Sequence, residues 1–155
     1  MTWSFSVSKQ FNKCQRQWFY KNKVANGLAK DPLRREAYLL SKLQSVYSWR
    51  GKIVDSVLSD YVVRSIKNGI TEKSTLVFAK TLFEKQLDFA QNHDVRKITT
   101  SITKLGDQFA AFFESEYGSG LEDSQIKNAW KDIELAIHNF FTLEGLIDQL
   151  KRANY

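Results

Sequence analysis

Between Tyr47 and Ile66 the residues Ile53, Val54, Val57, Leu58, Tyr61, Val62 and Ile66 recur at the three-and-four spacing of one helical face. The resulting stripe is broad, and it makes this segment the central helix of the fold. Two residues interrupt it. Gly51 falls in the first turn, where glycine costs about 1 kcal/mol against alanine but lets a second backbone come close. Asp55 follows one turn later at the edge of the stripe, among residues expected to be buried. It is the one acid whose context suggests a ligand role.

The remaining segments carry the same period. Ser4, Ser6 and Ser8 offer N-caps to a helix reaching Tyr20, with Val7, Phe11, Cys14 and Trp18 on one face. Asp31-Pro32 opens a helix to Val46, and Asn68-Gly69 stops the central one. Helices are expected over 74–92, 106–117, 125–140 and 143–153. Phe109, Phe112 and Phe113 are expected inside, and 93–104 is expected to be a loop with at most one turn. One proline and seven glycines in 155 residues do not suit a turn-rich β protein. The expectation is all-α: an irregular bundle of five to seven helices in one domain. It divides into a basic N-terminal hairpin over 4–46, a central helix over 49–68 and C-terminal helices over 74–153.

A single cysteine, Cys14, excludes an intramolecular disulfide and gives no sign of an oxidising compartment. No apolar run approaches the roughly 18 residues that span a bilayer. The segment MTWSFSVSKQF lacks the basic and apolar regions of a signal peptide. A cytoplasmic protein with no membrane partner is expected. The net charge of +6 is unevenly distributed. Residues 1–52 hold 11 Lys/Arg against 2 acids, and the rest hold 12 against 15. A basic third suggests a polyanion partner, nucleic acid first, although an ordinary solvated surface has the same composition. Lys9, Lys13, Arg16, Lys21, Lys23, Arg34 and Arg35 are the candidate phosphate contacts. Trp18-Phe19-Tyr20 reads as a core anchor, or as a platform on which Trp18 and Tyr20 stack a base.

From the residues alone no complete active site emerges. His93 and His138 have no partners at metal-ligand spacing, and the chain cannot readily supply the three or four ligands of a zinc site. Cys14 has no nearby histidine to activate it. There is no P-loop and no dinucleotide fingerprint.

Three segments together resemble the N-terminal part of PD-(D/E)XK nucleases of the RecB type. Trp3-Ser4-Phe5-Ser6 through Phe11, Cys14, Arg16 and Trp18-Phe19-Tyr20 is similar to that family's opening S-x-S-x-x-x-x-F-x-x-C-P-R-x-y-Y. Glu36 to Leu43, leading into Trp49, Gly51, Val54 and Asp55, resembles its W-x-G-x-x-V-H helix. Phe113-Glu114, Glu116-Tyr117-Gly118, Trp130 and Asn139-Phe140 before Leu146 are like its helical insertion. The resemblance implies a metal-dependent DNA nuclease whose α/β core holds Mg²⁺ or Mn²⁺ on an Asp and a Glu/Asp-x-Lys, which activate water and clamp the scissile phosphate. Asp55 stands where the family has histidine beside the metal, and a carboxylate suits Mg²⁺. On this reading Asp55 is the catalytic and metal-orienting residue.

The sequence departs from the family in three ways. Gln15 replaces the proline after the cysteine. Cys14 alone cannot hold the iron–sulfur cluster that some members carry on four cysteines. No Asp followed by Glu-x-Lys lies on a strand-like run, and Glu144-Gly145-Leu146-Ile147-Asp148 sits in a helical pattern. The expected protein is therefore the helical, DNA-binding portion of a nuclease, not catalytic by itself and without a cofactor of its own. Its metal and its catalytic sheet would lie in a missing C-terminal core. Two rival readings remain: a helical module that docks a protein partner, and a DNA-binding remnant of a nuclease.

Overall fold

A computed structural model describes residues 4–153. Among them are nine helices and no strand. Trp3, the first residue of the nuclease-like opening motif, lies outside the described residues. Helix α1 spans Phe5–Lys13, and α2 spans Gln15–Phe19 and continues as π-helical turns over Tyr20–Val24. Helix α3 is Pro32–Leu40. Helix α4 begins as Val46–Ser56, widens to a π-helix over Val57–Val62 and ends through Val63–Ser65 and a 3₁₀ turn at Ile66–Asn68. Helix α5 is Glu72–Asn92, α6 is Ile102–Leu105 and α7 is Phe113–Tyr117. Helices α8, Asp123–Thr142, and α9, Leu146–Arg152, complete the chain.

The core forms where α4, α5 and α8 meet. Trp49 is completely buried there. Its ring stacks on Phe83 of α5 at 4.7 Å and meets Phe112 edge-on at 4.9 Å. Its indole N–H donates to Gln86 Oε1 at 2.6 Å, so a large apolar group is buried without stranding its one polar atom. Val46, Ile53 and Val57 of α4 share this core with Ala79 and Leu82 of α5 and with Ala129, Ile133 and Ile137 of α8. Arg50 joins Asp132 in an ion pair that ties α4 to α8. A second cluster lies beside it, built from Leu39, Leu43, Phe89, Val95, Ile98 and Ala111.

Five local expectations change. The helix expected from Asp31-Pro32 to Val46 ends at Leu40. The helix expected over 4–20 breaks at Cys14, whose backbone is extended (φ −160°, ψ 102°). The helix expected over 106–117 is instead a 3₁₀ turn at Gly106–Gln108, an extended run and then α7. Gln44 and Phe112 pair in parallel across that run, with Gln44 N–H donating to Ala111 and Phe113 N–H to Gln44. Adjacent side chains on an extended chain point to opposite sides. Phe112 is therefore buried, while Phe113 is 43% exposed rather than inside. Gly51 admits no neighbouring backbone: a Cβ placed there would meet nothing within 4 Å. Gly69 does end α4 in the left-handed region at φ 80°, as its sequence suggests.

Candidate nucleic-acid interface

The basic third folds as a unit around α1, α2 and α3. Ser4 caps α1 by accepting from the Val7 N–H at 3.3 Å. Lys9 and Lys13 stand one turn apart on this helix, so their like charges share one exposed face. At the Cys14 break the thiol sulfur accepts from the Gln17 N–H at 3.3 Å and starts α2. Arg16, Lys21 and Lys23 follow, all exposed. Asp31 caps α3 through the Arg34 N–H, with Pro32 in the first turn.

None of Lys9, Lys13, Arg16, Lys21, Lys23, Lys30 or Arg34 forms an ion pair among the described residues. The two acids of this third are engaged elsewhere. Asp31 serves as the cap of α3, and Glu36 accepts from Arg96 Nη1 at 2.6 Å. The cations of the remaining chain are more often paired: Arg64 with Asp60, Lys80 with Glu84, Lys97 with Asp94 and Lys151 with Asp148.

Not every expected contact is free for phosphate. Arg35 lies half-buried, and its guanidinium donates to the carbonyls of Gly27, Ile98, Thr99 and Thr100. It clamps the loop before α3 to the loop after α5, which is a structural role. Arg34 gives one N–H to the Val24 carbonyl at 3.2 Å but remains exposed. Trp18 is 9% exposed, edge-on to Phe11 at 5.2 Å, and Lys23 Nζ lies 5.9 Å from its ring centre. Little of its face is open to a base, which favours the core-anchor reading. Tyr20 is 37% exposed and keeps an accessible ring.

Asp55 is exposed on α4, not sunk among the buried residues of the stripe, and its carboxylate has no partner among the described residues. No group of three or more His, Cys, Asp or Glu that could hold a metal is found among the described residues. A lone exposed carboxylate is a poor fit to Mg²⁺, which demands an octahedral shell of oxygen ligands. His93 stacks on Phe89 at 4.2 Å and contacts its carbonyl through Nδ1. His138 contacts Glu72 at 3.0 Å, linking α8 to the start of α5.

Two clefts flank α3 and the segment it packs on. One, of about 630 Å³, lies at the end of α5, and its charged side chains are paired. Glu116 pairs with Arg96, and its hydrogen bond holds that guanidinium above its already high value. Asp94 is held below the ordinary aspartate value by the Arg96 backbone N–H and then by Lys97. The other cleft, of about 480 Å³, opens between α2, α3 and α7. Gln17, Tyr20 and Lys21, Leu33 and Ala37 of α3, and Phe113 and Tyr117 of α7 line it. Phe113 and Tyr117 were not singled out from the sequence as binding residues. Their i, i+4 spacing after an extended run is the signal that places both rings on one face.

Comparison with known families, with curated proteins and with solved structures returned no match. No helix among the described residues is long and apolar enough to cross a membrane.

Proposed function

We propose that this chain is a helical nucleic-acid-binding module that engages the phosphate backbone through α1, α2 and the start of α3. The observation that carries this reading is the group of exposed Lys and Arg side chains in the first third that have no carboxylate partners among the described residues. Unpaired surface cations keep their full attraction for a polyanion, and binding releases the counterions that the nucleic acid had condensed. Lys9, Lys13, Arg16, Lys21, Lys23 and Arg34 are the contacts; Arg35 instead ties the loop before α3 to the loop after α5.

The narrower reading is the helical portion of a PD-(D/E)XK-type nuclease. It is supported by the order and spacing of the three motifs and by their placement on α1–α2, on α3–α4 and on the run from α7 to α9. On that reading the acids that hold metal come from outside these residues, and Asp55 faces them from α4.

Fluorescence anisotropy with labelled single- and double-stranded DNA tests the first reading. Affinity is expected to fall steeply with salt, at a slope near 0.7–0.9 per phosphate contacted. Lys9→Glu combined with Lys13→Glu is expected to reduce affinity at least about tenfold and to reduce the slope. Binding that ignores salt, or a protein partner preferred over DNA, would overturn it. Adding Mg²⁺ is expected to yield binding without cleavage. Cleavage abolished by Asp55→Ala would place the active site within this chain instead.

A further inference from the structure

We infer that the cleft between α2, α3 and α7 is a subsite for a single unpaired nucleobase, so that the ligand is a single strand rather than a duplex. This rests on the nucleic-acid reading above and deepens it. The cleft, at about 480 Å³, falls in the range of sites that enclose small ligands. Its chemistry is that of a base pocket. Aromatic rings come from two of the elements that line it: Tyr20 at the end of α2, 37% exposed, and Tyr117 on α7, 64% exposed. Phe113 lines the same cleft, its ring plane inclined by 24° to that of Tyr117 with the centres 6.5 Å apart. Leu33 and Ala37 add apolar lining, and Gln17 brings an amide that both donates and accepts hydrogen bonds.

Charge selects the occupant. The helices that form the near wall carry Lys13, Arg16 and Lys21, exposed and without carboxylate partners among the described residues. Lys21 itself lines the cleft. The acid that lines the cleft, Glu36, is paired with Arg96. An aromatic slot edged by free cations suits a strand that inserts a base while its phosphates run along the rim. Duplex DNA keeps its bases stacked and offers none to the slot without unpairing.

The test compares an oligo-dT strand with an abasic strand of equal length and charge, by anisotropy on the full chain at fixed salt. The dT strand is expected to bind five- to a hundredfold more tightly, the range that one stacked base contributes. Tyr117→Ser, at a well-exposed position, is expected to erase most of this preference while leaving abasic binding and its salt slope unchanged. Tyr20→Ser gives an independent second reading from the other wall. Equal affinity for dT and abasic strands overturns the subsite and leaves backbone binding standing. A base-free acidic peptide of equal charge that displaces the abasic strand but not the dT strand supports the subsite; stronger binding of the peptide than of dT overturns it. Failure to bind any strand overturns the nucleic-acid reading itself.

Discussion

Gly51 occupies an exposed position in α4 where a side chain would meet nothing, so the fold gains nothing from its missing Cβ. Helical glycine carries an entropic cost that alanine avoids. Gly51→Ala is therefore expected to stabilise the chain by about 0.5–1 kcal/mol in urea denaturation. If the same substitution lowers DNA affinity, the open space over Gly51 belongs to a ligand; unchanged affinity means that the glycine is incidental. Periodicity alone placed Gly51 and Asp55 on α4 but could not say what faces them. That depends on which side of the stripe α5 and α8 cover, and on contacts far apart in the chain. Arg35 illustrates the same limit. Its charge was plain, but its acceptors are carbonyls about sixty residues away, and nothing local marks them.

At the scale of elements, the helices with a strong 3.6-residue period were legible. The 21 residues of α5 and the 20 of α8 fall within a few positions of their sequence boundaries because capping and pattern agree. The breaks were less legible. The apolar face Val7-Phe11-Cys14-Trp18 reads as one helix, yet the chain becomes extended at Cys14 and restarts with that residue's sulfur as cap. A thiol is a weak acceptor, and a hydroxyl in the same place is a stronger one. Cys14→Ser is expected to preserve or slightly raise stability. Cys14→Ala is expected to cost about 0.5–2 kcal/mol, the usual effect of losing an N-cap. Chemical denaturation of both variants checks the pair, and equal loss in both would remove the capping account. The candidate site was legible in part for the same reason. The lysines and Tyr20 sit on α1 and α2, whose pattern is clear. Phe113 and Tyr117 sit on α7, whose position is set by backbone pairing between Gln44 and Phe112.

Across the whole molecule, the basic third and the acidic remainder meet at Arg96. It joins Glu116 on α7 and Glu36 on α3, one carboxylate from each side of the charge divide. Arg96→Ala is expected to weaken binding of single-stranded DNA by several-fold in the anisotropy assay, although Arg96 is not itself a proposed phosphate contact. Adding Glu36→Gln to that variant is expected to restore most of the loss. No recovery would show that Arg96 acts by holding α3 and α7 in place rather than by masking charge. Should the recovery appear, one guanidinium on the far side of α3 works as a silencer. It mutes the acid that lines the cleft and lets a passing strand sense an unbroken field.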